Sequence, residues 1–268
     1  MLIKRLREKK IVIFGTGHVA HKFYKIVKDK GLKNQIICFT RTANVNDGEV
    51  IDGIPVYCFE NIRINDDTLV CIAVHEAIKS EIEKTVRQRT GRYLWIYPYL
   101  YSFMFGESEQ KNVELEVREL LKKYRSDLRL GVRLAAIEQE EGLNTYGFGY
   151  YVRAQMTYCG KETAEQRLKQ FLGLIRSWKQ SGYNKKYLMS LNRNYEVIDG
   201  NHRLSMAVYM GQKVIYGDIY PTDLPIEEIH GEEPMQTKEL LLRNGFTADE
   251  IAILEKIQER YLKEYERV

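Results

Sequence analysis

Hydrophobic positions in the first hundred residues fall into short continuous runs separated by amphipathic stretches. Residues 10–14 (KIVIF) form one such run, followed by the turn GTGHVA and a helical pattern over 21–30 that Gly31 ends. Residues 35–40, 54–57, 68–74 and 93–97 repeat the strand pattern, and 76–89, closed by Gly91, repeats the helical one. Apolar strands alternating with helices predict a parallel sheet covered on both faces, hence an α/β domain over residues 1–105.

Beyond residue 106 the period changes. Val113, Val117, Leu120, Leu121 and Tyr124 recur at helical spacing, and 128–140 carries the pattern on to Gly142. This predicts a helical connector over 106–143, its apolar stripes packing between domains or in a homodimer. Residues 150–155 read as a strand. Residues 163–181 read as a long amphipathic helix with Leu168, Phe171, Leu172, Ile175 and Trp178 on one face. A hairpin is expected from 187–191 and 195–198 across Asn192-Arg193-Asn194, then a helix at 204–210 ended by Gly211, and a strand at 214–219. Helices at 237–243 and 247–267 follow, the second opened by the capping box Thr247 and Glu250. The mixture predicts a second, α+β domain over 144–268.

Composition narrows the class. Of the 268 residues, 44% are hydrophobic and 29% charged, which excludes a wholly disordered or fibrous chain. Lys and Arg number 41 against 37 acids and are interleaved with Glu, so no nucleic-acid-binding face is expected. No apolar run approaches the roughly 20 residues of a membrane span. The basic start MLIKRLREKK leads into IVIF and then Gly15, too short for a secretory core, so a cytoplasmic protein without a membrane partner is expected. Cys38, Cys58, Cys71 and Cys159 form neither a CxxC pair nor a Cys/His cluster and read as reduced core thiols.

Two turns carry candidate chemistry. In the first, Gly15-Thr16-Gly17-His18-Val19-Ala20 lies between a strand and a helix, where backbone N–H groups favour a phosphate. Gly15 permits the tight turn and Gly17 lets a ligand approach the backbone. The pattern is GxGxxA, and the next strand ends in Phe39-Thr40-Arg41 without the acid that usually bonds a ribose. That weighs against NAD and leaves Arg41 either as a phosphate partner or as a solvated loop residue. Gly15, Gly17, His18 and Arg41 therefore form a candidate second ligand site for a nucleotide-sugar or NAD(P).

In the second turn, Asp199-Gly200-Asn201-His202-Arg203 bunches polar groups where a helix opens. Gly200 gives backbone freedom. The helix amides at Gly200 and Asn201, the His202 ring and the Arg203 guanidinium are candidates to converge on a polyphosphate. Asp199 is suited to orient a partner, hold Mg²⁺ or accept a hydroxyl proton. Taken singly, the three side chains are equally a helix cap, a packed ring and an ion-pair partner.

The span KKIVIFGTGHVAHKFYKIV, with GIPVYCFENI further on, resembles the Rossmann-like N-terminal domain of some sugar acyltransferases and surface-polysaccharide enzymes. In those proteins it binds nucleotide-sugar or serves as a scaffold. VIDGNHRLSMAVYMG resembles the DGxHR-type motif of the ParB/sulfiredoxin-like superfamily, at Asp199, Gly200, His202, Arg203 and the apolar helix that follows. The resemblance implies a ParB/sulfiredoxin-like domain whose turn binds nucleotide phosphates. Sulfiredoxin has its reactive cysteine where Asn201 stands here, so sulfinic-acid repair is not expected. ParB chains continue into a DNA-reading helix-turn-helix, whereas the helices expected here are 237–243 and 247–267, so DNA partitioning is not expected either. What remains resembles the free serine kinase branch. It implies an ATP- or ADP-dependent kinase (CTP is a further candidate) using Mg²⁺ on a small hydroxylated metabolite or sugar precursor. In that branch a second acid activates the hydroxyl; Glu165 is the candidate, with Glu162 behind it. Arg153 and Arg167 are candidates for substrate phosphate or carboxylate. A nucleotide-binding scaffold without turnover, and an NAD(P)-dependent oxidoreductase using the first domain, are the alternatives.

Overall fold

The computed structural model describes residues 2–42, 45–74, 76–185, 188–230 and 235–266. The chain is mixed α/β and divides into two compact units, Met1–Glu107 and Ser108–Val268.

Unit 1 runs α1 (Leu2–Arg7), β1 (Lys10–Phe14), α2 (His18–Asp29), β2 (Ile36–Arg41), β3 (Val50–Ile51), β4 (Ile54–Cys58), β5 (Thr68–Ile72), α3 (Glu76–Arg87), β6 (Tyr93–Trp95) and α4 (Leu100–Phe105). Its six strands are ordered β3-β4-β2-β1-β5-β6. All neighbours are parallel except the β3–β4 hairpin. The continuous apolar runs follow from burial on both sides. Ile11 and Ile13 pack with Phe23, Val27 and Phe103 on one face, while Val12 and Phe14 pack with Phe59 and Val86 on the other. Strand order reverses between β1 and β5, the switch point where open α/β sheets hold ligands.

Unit 2 runs β7 (Gln110–Glu116), α5 (Val117–Leu121), α6 (Arg129–Glu140), α7 (Gly147–Gln155), α8 (Lys161–Ser181), β8 (Met189–Leu191), β9 (Val197–Asp199), α9 (Asn201–Tyr209), β10 (Val214–Ile219), α10 (Ile226–His230), α11 (Lys238–Arg243) and α12 (Ala248–Glu266). Its sheet is β7-β10-β8-β9, with only the β10–β8 pair parallel. Helix α6 is the axis of the core: every residue from Leu130 to Glu138 is buried.

Two expectations are corrected. The proposed helical connector is not a separate element. Its first part is the strand β7, pairing Val113 with Gly217 and Leu115 with Ile215, and its second part is the central helix of unit 2. Val113, Leu115 and Val117 in fact recur with period two, the strand signature. The expected strand at 150–155 is the helix α7. Its buried Tyr150, Tyr151, Ala154 and Gln155 follow a helical stripe, and Asn144 Oδ1 accepts from the amides of Tyr146 and Gly147 at its start. Gly147 lets α7 press onto α6, for a Cβ there would lie 1.9 Å from the Ala135 carbonyl oxygen. The expected hairpin is present as β8 and β9, although Tyr187 lies outside the described residues.

Candidate functional site

The DGNHR segment sits where β9 runs into α9. Asp199 pairs in register with Ser190, and Gly200 then turns with φ +115°. A Cβ at Gly200 would meet Met189 Cγ at 2.7 Å, so both conformation and space require glycine. Asp199 Oδ1 accepts from the Gly200 amide at 2.9 Å; the N-cap position of α9 is Gly200 and carries no side-chain cap bond, so Asp199 does not cap the helix. The first helical bond runs from Leu204 N to Gly200 O at 2.9 Å. The amides of Asn201, His202 and Arg203 precede it, at the positive end of the helix dipole.

Successive side chains of the turn are held by different elements. Asn201 Oδ1 accepts from the Tyr124 hydroxyl. His202 Nε2 lies 2.7 Å from the Tyr151 hydroxyl, and its ring packs against Phe171 with centroids 4.6 Å apart. Arg203 Nη1 donates to the Leu188 carbonyl at 2.9 Å and lines a cavity of about 120 Å³ beside Trp178, Ser181 and Tyr183. The structure thus keeps the five residues together as a turn but directs His202 toward α7 and α8 and Arg203 toward β8. Burial pushes the hydroxyls of Tyr124 and Tyr151 up to about 12, so both stay neutral at physiological pH.

The other expected residues divide. Arg167 lies by this cluster, donating to Gln155 Oε1 at 3.0 Å and acting electrostatically on Tyr151. Arg153 does not: it is on α7, bonded to Glu250 at 2.6 Å and stacked over Phe246 at 4.1 Å, where it straps α12 to α7. Glu250 is held below the usual carboxylate range mainly by that bond. Glu165 is 56% exposed and 3.9 Å from Lys161, without a contact to the turn among the described residues. It lies six residues, about 9 Å along the helix axis, before Phe171. Its position is that of an exposed acid near a helix start, and Glu162 is likewise exposed. Among the described residues no group of three His, Cys, Asp or Glu side chains converges on a cation position. Among the described residues Asp199 alone offers a carboxylate at the turn, which suits Mg²⁺ only as a partner to substrate phosphates.

Sequence reasoning missed Tyr124, Arg129, Arg133, Tyr151 and Gln155 as site-lining residues. The available signal was Arg133, a lone charge inside the apolar run LGVRLAAI.

In unit 1, Gly15 turns at φ +126°, and its Cβ would lie 2.7 Å from the Ala73 carbonyl oxygen, so β1 and β5 can close only on glycine. Gly17 caps α2, which begins at His18, and the space above Gly17 is open. Arg41 reaches this turn, 3.4 Å from Thr16 Oγ1, with Glu49 2.6 Å away neutralising it. An acid does therefore stand beside the end of β2, supplied by the following loop. The cysteines are free, and burial pushes the Cys38 thiol up to about 12.

No helix among the described residues is long and apolar enough to cross a membrane. Comparison with protein-family models, with curated proteins and with solved structures finds no match to this chain.

Proposed function

We propose that unit 2 is a ParB/sulfiredoxin-like domain that binds the phosphates of ATP or ADP, with CTP as a further candidate, at the Asp199–Arg203 turn. It would transfer a phosphoryl group to a small hydroxylated metabolite or sugar precursor, in a cytoplasmic route to surface polysaccharide. The observation that carries the reading is Gly200, held left-handed against Met189 at the mouth of a nine-residue helix whose first side chains are fixed by Tyr124 and Tyr151. A turn locked in this way presents its amides without reorganisation when phosphate binds. Asp199 uses one oxygen on its own turn, which leaves the other for Mg²⁺ or the acceptor hydroxyl. Phosphoryl transfer asks mainly for positioning and charge neutralisation, which this turn supplies.

The test is nucleotide binding and turnover with Mg²⁺ in wild type, Asp199→Asn and Arg203→Ala. Binding by wild type and Asp199→Asn, with turnover lost in the latter, supports the kinase. Tight binding without turnover in wild type points to the scaffold alternative, and no binding ends both.

The switch-point turn in unit 1 favours a second reading for that unit, a nucleotide-sugar or NAD(P) site framed by Gly15, Gly17, His18 and Arg41. A melting shift with such a ligand, abolished by Gly17→Asp, is its test.

A further inference from the structure

Helix α6 carries two arginines one turn apart, Arg129 and Arg133, in an otherwise mostly apolar helix. Arg129 is matched: its Nε donates to Asp127 Oδ2 at 2.6 Å, and Asp127 Oδ1 accepts from the amides of Arg129 and Gln236 at 3.0 and 3.1 Å. Asp127, 1% exposed, is thereby fully used.

Arg133 is not matched. It is 7% exposed, its Nη1 donates only to the Arg129 carbonyl at 2.9 Å, and its Nε has no partner among the described residues. No carboxylate among the described residues forms an ion pair with it, and burial lowers its pKa from the ordinary guanidinium value. Arginine nevertheless keeps its proton in proteins, so a nearly uncompensated positive charge is buried here.

A second guanidinium, only partly buried, stands close by. Arg167, from α8, bonds the neutral Gln155 side chain and forms no ion pair among the described residues. Both guanidinium groups act on Tyr151, whose hydroxyl meets His202. The positive end of α9 adds to the same field. Gln155, which holds Arg167, lies one turn from Tyr151 on α7, and the buried Arg133 Nε is unpartnered among the described residues. Buried charges are ordinarily paired, and two guanidinium groups in one neighbourhood match a tetrahedral oxyanion bearing two negative charges.

We propose that Arg133, Arg167 and the Tyr151 hydroxyl form an oxyanion subsite that takes a phosphoryl group beside the first turn of α9. The subsite stands without the kinase reading; only the assignment of its phosphoryl group to a reacting molecule rests on that reading.

The probe is inorganic phosphate, titrated by calorimetry into the full chain against chloride at equal ionic strength. Wild type should bind phosphate in preference to chloride. Arg133→Gln and Arg167→Gln should each weaken that binding at least tenfold. Arg167 is only partly buried, so its variant carries the test if Arg133→Gln does not fold. Equal response to phosphate and chloride overturns the subsite, as does phosphate binding that neither variant weakens. ATP, ADP and CTP form the second arm. Phosphate binding without nucleotide binding ends the kinase reading and leaves the subsite standing. If Arg133→Gln weakens nucleotide as well, the phosphoryl group is the nucleotide's own. If it weakens phosphate alone, the group belongs to a phosphorylated second substrate.

Discussion

The Tyr151 hydroxyl, carried by α7, lies 2.7 Å from His202 Nε2, in the first turn of α9. A buried phenol thereby fixes the orientation of the imidazole next to the only left-handed residue of the turn. Tyr151→Phe keeps the ring packing on Phe171 and removes only the hydroxyl. It should cost about 0.5–1.5 kcal/mol in urea unfolding, with an unchanged slope. A loss near zero would mean that the bond to His202 does not hold the turn.

Three glycines separate backbone need from tolerance. Gly200→Ala should destabilise by about 1–3 kcal/mol, from a positive φ and the approach of Met189. Gly147→Ala should be worse, because the Ala135 carbonyl cannot withdraw without separating α6 from α7. Gly173→Ala, in the interior of α8 with open space above it, should instead stabilise by about 0.4–1 kcal/mol. Thermal melts of the three variants give the ranking directly.

Alkaline pH should weaken unit 2. Tyr124 and Tyr151 are raised from 10.0 to about 12 in the folded protein, by burial above all. A raised folded value means that their contribution is fully present below pH 10.0 and is lost as pH climbs toward 12. The melting temperature should fall across that window, and fall less in the double variant Tyr124→Phe, Tyr151→Phe. A parallel fall in both proteins would assign the effect to other groups.

Arg133→Met should raise the stability of the ligand-free protein by about 1–4 kcal/mol, since an uncompensated buried charge gives way to an apolar chain of similar length. Chemical denaturation in chloride, without phosphate, measures this. Destabilisation would identify the guanidinium as a structural strut.

Legibility in the sequence followed the strength of the local period. The strand at 10–14 and the one at 214–219 were plain because every apolar position agrees with one environment, burial on both faces or alternation. The capping box at Thr247 and Glu250 was equally plain and forms in both directions, 2.9 and 3.2 Å. The 110–117 stretch was misread because Val113, Val117 and Leu120 also fit a helix, and only pairing with β10 decides between the two periods. Residues 150–155 misled through their aromatic and β-branched content, which tertiary packing against Ala135 overrode. At the site, the turn was visible because its residues are contiguous. Its supports were not, since Tyr124, Arg133 and Tyr151 reach it from other helices and no local pattern encodes that meeting.

Gln258 shows when that meeting is completed. Its side chain accepts from the Gly131 amide at 2.8 Å and donates to the Tyr124 carbonyl at 2.7 Å, at a sequence separation of 134 in the second case. Tyr124 in turn bonds Asn201, so the backbone that positions this donor is pinned by a residue of α12. During synthesis the turn is made well before its support, and must wait for α12 before it takes its final geometry. A nascent chain stopped short of Gln258 would carry the whole DGNHR motif and still lack the polar clasp that sets it.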